Sequence, residues 1–231
     1  MNQKLLFIIF FSLSYHLIAQ HKPYNKEHDL FLMPTAFTMD KGQAYLTHYQ
    51  LFFLNVTYSI TQKTHFGVFS LFPVTGDYTN TFTLGFKQNI LEKKYIGIAT
   101  FSSYMPKKSY LAMGGIISVL IGNYAGIHAG LGGLRGNRDL PSGRLFLLGM
   151  KIEMNNRMAF IVEYSNIPLM DESYEGEHEE LFDLNHYVTF GCRMRGKRLA
   201  LDIGAIKPRL DVPELGIWVL PYLKGTVYFG R

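Results

Sequence analysis

"YVTFGCRMRGKRLALDIGAI", residues Tyr187 to Ile206, decides how the chain is read. Two apolar runs meet at a basic turn, "RGK" at 195–197. On the first run His186, Val188, Phe190, Cys192 and Met194 alternate with Tyr187, Thr189, Gly191 and Arg193. On the second, Leu199, Leu201, Ile203 and Ala205 alternate with Ala200, Asp202 and Gly204. A period of two marks a strand whose faces meet different surroundings. One face here is apolar, and the other is small or charged even at mid-strand. That is the wall of a membrane barrel, apolar toward lipid and polar toward a lumen. Arg193 and Asp202 then point inward, where water or each other can satisfy them.

The same pattern recurs along the chain. From Gln43 onward short apolar stretches are broken by turn chemistry, giving about twelve strands. The breaks sort by length. Tight ones fall at 61–64, 91–94, 122–123, 155–157 and 195–197, and mostly longer ones at 74–80, 106–109, 135–143, 166–184 and 207–214. The first, placed near Phe53–Leu54, is tight and departs from the rule. A soluble sandwich has no reason to sort its loops by parity, whereas a membrane barrel has tight periplasmic turns and longer outer loops. Runs such as "RMAFIVEYSN" also match the roughly 9–11 residues of a tilted spanning strand. The expected fold is therefore all-β, a transmembrane antiparallel up-and-down barrel. The stretch 109–134 carries no charge for 26 residues, enough for a spanning helix. Its seven glycines and the central Gly122–Asn123 favour a hairpin.

The opening "MNQKLLFIIFFSLSYHLIAQ" has Lys4 before an apolar stretch and a small residue, Ala19, where cleavage suits it. This reads as a secretory signal peptide over 1–20, followed by a periplasmic lead-in at 21–42 and a barrel at 43–231. Without residues 1–20 the chain holds 22 basic and 18 acidic residues. That excess suits an anionic lipid surface and is too small to argue for nucleic acid. The lone Cys192 excludes an internal disulfide. The last strand alternates Leu223, Gly225, Val227 and Phe229 against Tyr222, Lys224, Thr226 and Tyr228. Its terminal aromatic resembles the signal read by the barrel-insertion machinery, an expected partner alongside outer-membrane lipid.

Pro34-Thr35-Ala36, Lys41-Gly42, the Tyr/Phe-rich run from Tyr45 to Phe53 and the "YSIT" at 58–61 resemble a group of uncharacterised outer-membrane β-barrel proteins of Bacteroidota-type bacteria. The similarity is recognisable over about the first third of the chain and implies fold and an outer-membrane address, with no catalytic residues to transfer.

Inward-facing charges are the first candidate site: Lys87, Lys151, Glu153, Glu163, Arg193, Asp202 and Lys224. They serve either as the selectivity lining of a polar pore or as an ion-pair ladder filling a narrow barrel. The second candidate is the acidic run at 171–183, with Asp171, Glu172, Glu175, Glu177, Glu179, Glu180 and Asp183. Carboxylates suit hard cations, but the spacing of a calcium loop is missing, so no metal site is assigned and a solvated loop is the plainer reading. Arg135, Arg138 and Arg144 fall on the same outer side, where opposite charge would draw the loops together. His48, His65 and His128 stand on apolar or aromatic strands, and no short motif joins them to a Ser and an acid. Neither a phosphate loop nor a dinucleotide fingerprint is present, and no cofactor is expected. The functional expectation is a narrow channel for small polar solutes. Its rival is a closed barrel acting through its outer loops as a structural or surface-interaction protein, and a membrane-embedded lipid hydrolase comes third. Whether residues 21–42 plug the lumen or hang in the periplasm stays open at this level.

Overall fold

In a computed structural model the chain closes into one antiparallel barrel of twelve strands. The structure describes residues 27–50, 53–71, 81–136, 142–166, 183–209 and 219–230. The strands are β1 (Ala44–Tyr49), β2 (Phe53–Thr61), β3 (Thr64–Leu71), β4 (Thr83–Glu92), β5 (Ile96–Met105) and β6 (Tyr110–Ile121). They continue with β7 (Ala125–Arg135), β8 (Gly143–Glu153), β9 (Met158–Ser165), β10 (Asp183–Arg195), β11 (Leu199–Arg209) and β12 (Leu220–Phe229). Each pairs with the next, and β1 closes the ring on β12 from Ala44↔Phe229 to Tyr49↔Lys224. Closure removes every sheet edge, and in lipid each strand's backbone groups must be paired this way.

The uncharged stretch 109–134 forms the β6–β7 hairpin, turning at Gly122 with φ 60. A left-handed residue is what such a turn requires, and glycine adopts it without steric cost. The expected break near Phe53–Leu54 is displaced: both residues open β2, and β1 ends at Tyr49. Phe53 and Leu54 continue the apolar, aromatic run into Val56 and stay in β2, and the left-handed Gln50, φ 48, bends the chain just after β1. The connection 106–109 is also short, so the long ones at that end of the barrel are 72–82, 136–142, 166–182 and 210–219. The β2–β3, β4–β5, β6–β7, β8–β9 and β10–β11 turns are all tight and lie at the opposite end.

The pleat sorts the side chains as the alternation predicts. Outward positions are large and apolar and stay exposed, among them Ile60, Phe86, Leu131, Phe146, Leu148 and Ile203. A continuous surface of this kind is stable against hydrocarbon and not against water. Inward positions are small, hydroxylated or charged over much of the wall, with a group of large apolar and aromatic residues, among them Leu145, Leu147, Ile161 and Tyr222, toward the long-loop end. Gly191 and Gly204 face each other across β10 and β11, where an added Cβ on either would lie 2.3 Å from a carbonyl oxygen of the other strand. The two backbones approach closely there, and only glycine leaves room for both.

Candidate functional site

The lumen is occupied. Residues 27–39 form a hairpin inside the barrel: from Glu27, near the tight-turn end, they run inward, turn back on themselves and return to that end before β1 begins. Asp29 and Pro34 bridge the two arms, Leu30 N donates to Met33 O (2.9 Å), and Thr35 N donates to His28 O (3.1 Å). Leu30, Phe31, Ala36 and Phe37 are fully buried.

An irregular segment inside a barrel has no strand to satisfy its backbone, so the wall side chains must do it. Lys87 Nζ donates to three carbonyls of the hairpin: His28 (2.8 Å), Thr35 (3.2 Å) and Phe37 (2.7 Å). Lys224 Nζ donates to the carbonyls of Leu30 (2.8 Å) and Phe31 (2.9 Å) and to Asp29 Oδ2 (2.6 Å). Arg193 holds Asp202 through a two-pronged contact, with Nε and Nη2 each at 2.7 Å, as the opening stretch of sequence anticipates. Its remaining donors reach the carbonyls of Asp29 (3.0 Å) and Leu30 (2.6 Å) and Glu27 Oε2 (2.7 Å). A planar fork with five donors suits this convergence as an ammonium could not.

Glu163 does the opposite task. Its carboxylate accepts from the backbone N–H groups of Phe31 (2.6 Å), Leu32 (3.0 Å) and Met33 (3.3 Å), capping the tip of the hairpin. Lower in the lumen Lys151 Nζ lies 2.7 Å from Glu27 and 2.8 Å from Glu153. Arg195 closes this group against both Glu153 and Glu27. Thus five of the seven inward charges contact the hairpin directly, and Glu153 and Asp202 bind cations that do.

Nonpolar fit accompanies the polar contacts. Gly149 faces the tip: a Cβ there would lie 2.4 Å from Leu30 Cδ1 and 3.1 Å from Met33 Sδ. Gly97 does the same beneath Phe37 and Ala36, at 3.0 and 3.1 Å. The tip also joins an apolar cluster with Ile116, Leu134, Leu145, Leu147, Ile161 and Tyr222.

Hairpin residues lie outside the spanning strands, and three of them carry shifted protonation. Burial holds His28 neutral, pushing its pKa down to about 3; it stacks on Tyr45 at 4.3 Å and faces Asp29, Lys87, Lys224 and Arg193. Burial would raise Glu27 and Asp29, but Lys151, Arg193 and Arg195 around the first and Lys224 and Arg193 beside the second hold both well below the carboxylate range.

The histidines are engaged. His65 Nε2 accepts from Met39 N (2.7 Å). His128 Nδ1 lies 2.8 Å from Ser118 Oγ, which also accepts from Ala36 N (2.8 Å). This Ser–His pair faces the lumen beneath the hairpin, away from the lipid face. Sequence reading missed it because the two residues are ten apart and meet only through the β6–β7 register. Arg135 and Arg144 are exposed where β7 and β8 reach the long-loop end. Arg138, Asp171, Glu172, Glu175, Glu177, Glu179 and Glu180 lie outside the described residues, and Asp183 starts β10.

The hairpin's own site residues, Glu27, His28 and Asp29, were also missed. One signal for them existed. Counting Arg195 with the inward residues leaves the wall two positive charges in excess, so it needed acids from elsewhere in the chain.

No protein-family model matches the chain, and neither does any curated protein sequence. Among solved structures it is similar to a chain described under "asymmetric conductivity of engineered proteins", at TM-score 0.40 and 9% identity over 77% of this chain and 55% of that one. A double mutant of OccD1 (OprD) aligns at TM-score 0.41 and 10% identity, over 77% and 58% of the two chains. A multiple mutant of the Rh. blastica porin aligns at TM-score 0.39 and 10% identity, over 77% and 55%. The chain thus spans little more than half the length of these structures.

Proposed function

We propose that this protein is an outer-membrane β-barrel, sealed at rest by its own N-terminal hairpin, that acts as a gated channel for small polar solutes. The observation that carries this reading is the fate of the inward charges. Each of the seven is bonded to the hairpin or to a side chain that is, so in the resting state these charges are committed to the hairpin and its partners and not to a solute. The outer-membrane address is supported by the apolar outer face of a closed barrel, by tight turns gathered at one end, and by the signal-like residues 1–20. Insertion by the barrel-insertion machinery belongs to the same reading. Gating is supported by the polar character of the hairpin's contacts, because water can replace each of them when the segment leaves.

A second reading is a permanently closed barrel acting through its outer loops as a structural or surface-interaction protein. The apolar tip favours it. Leu30, Phe31 and Met33 are each 1% exposed or less, and burial contributes about 1.5–3 kcal/mol for each such side chain. Unaided withdrawal would then be rare, and gating would need a partner, a voltage or a ligand to drive it.

Ion conductance across a planar bilayer tests the proposal. Folded intact protein should give no discrete steps at low voltage, while protein lacking residues 27–37 should give them. Constant steps from intact protein would refute the seal. A folded but silent deletion variant would leave the permanently closed reading.

A further inference from the structure

Charge in the filled lumen balances between wall and hairpin. Among the described residues the wall supplies five buried or nearly buried cations: Lys87, Lys151, Arg193, Arg195 and Lys224. Against them it sets three carboxylates, Glu153, Glu163 and Asp202, an excess of two positive charges. The hairpin brings in two acids, Glu27 and Asp29.

Those two acids are not spread along the lumen but sit in two formed subsites. Glu27 Oε2 lies 2.7 Å from both Lys151 Nζ and Arg193 Nη1, and its Oε1 lies 3.0 Å from Arg195 Nε. Asp29 Oδ2 lies 2.6 Å from Lys224 Nζ, with Oδ1 3.6 Å from Arg193. Arg193 is shared by both and is fixed in place by Asp202. The wall carboxylates cannot replace the hairpin's. Asp202 is already engaged by Arg193, Glu153 is engaged by Lys151 and Arg195, and Glu163 serves the tip.

We propose that the lumen vacated by the hairpin is an anion site and an anion-selective path, suited to small solutes carrying one or two carboxylates or a phosphate. This rests on the gated-channel reading above. Uncompensated cations in a narrow, low-dielectric passage concentrate counter-ions and repel cations of their own sign. An Arg fork set beside ammonium groups matches the planar oxygens of a carboxylate or the oxygens of a phosphate. In this view Glu27 and Asp29 are tethered occupants of a site that a free dicarboxylate also fits.

The test is a reversal potential under a KCl gradient in a planar bilayer. Two variants are used, each first shown to keep the heat-dependent gel mobility of a folded barrel: the chain lacking residues 27–37, and the full chain carrying Glu27→Gln with Asp29→Asn. Chloride should permeate roughly threefold to tenfold better than potassium in any variant that conducts. Adding Lys151→Gln and Arg193→Gln to the deletion should remove that preference. Succinate should lower the chloride current more than acetate at equal ionic strength. Equal permeabilities or a potassium preference would overturn the inference while leaving the seal intact. Folded barrels silent in both variants would overturn the path and the inference together.

Discussion

The two ends of the lumen are built on different principles. Toward the tight turns, Lys151, Glu153, Arg193 and Arg195 surround Glu27, and satisfaction there comes from paired charge. Toward the long loops, Leu134, Leu145, Leu147 and Tyr222 pack on the hairpin tip as an apolar core. The difference teaches that the inward charges are unevenly spread along the lumen. They are concentrated where an acidic segment must be held, and the other half of the passage is closed by ordinary packing.

Three substitutions and one titration break or sharpen that contrast. The largest effect is expected from Arg193→Ala, which strips Asp202 of its two-pronged partner, leaving only Lys224 at 3.8 Å, and removes one of the three cations around Glu27. Loss of one partner from a buried charge cluster costs about 3–5 kcal/mol. Denaturant unfolding in lipid vesicles should show that loss, with conductance appearing in the protein that remains folded. Next, Leu147→Ala in the apolar half should cost about 3 kcal/mol through the cavity it leaves. This variant should stay electrically silent, because the ionic clasp on the hairpin is untouched. If it conducts as freely as Arg193→Ala, the division of labour between the two halves is wrong.

Glu163→Gln comes third. It keeps the side-chain size but weakens acceptance from three backbone N–H groups, an effect of about 1–3 kcal/mol. Its sign of success is a rise in open probability larger than its effect on unfolding, since Glu163 grips the hairpin and not the neighbouring strands.

The mildest perturbation is acid. His28 takes up its proton at about 3 when docked and near 6.5 when released, so in between the released hairpin binds more protons. Docking is therefore fully supported above pH 6.5 and weakens as pH falls toward 3. Glu27 and Asp29 act in the same direction, adding their losses below their ordinary values of 4.5 and 3.8. Conductance of the intact protein should rise as the hairpin side is acidified from neutrality, and His28→Phe should flatten the upper part of that rise. A seal that tightens in acid would contradict the buried charge arrangement.

How much of this was legible in the sequence follows from the range of each interaction. Alternation around Arg193 and Asp202 fixes faces, and the β10–β11 turn brings the two side chains opposite each other, so their pairing could be read directly. The same local logic finds the closing strand from Leu223 to Phe229. The hairpin could not be read this way. Glu163 meets Phe31 across 132 positions, and Lys224 meets Asp29 across 195, with no periodicity to connect them. Pro23 and Pro34 break any regular pattern in the lead-in, and apolar residues such as Leu30 and Phe31 have no second strand face to give them away. Gly149 and Gly97 were equally opaque. In the sequence they look like small inward residues, and only the space taken by Leu30 and Phe37 explains why they are not larger.

Both described arms of the hairpin run toward the tight-turn end, Glu27 on one and Met39 on the other, a fact with a topological consequence. Over residues 27–39 the segment is a finger in a ring and not a thread through one. Over these residues, neither placing it after the ring has closed nor taking it out again calls for opening the β1–β12 seam. In the gated reading proposed above, release and return of residues 27–39 then require no unfolding of the wall.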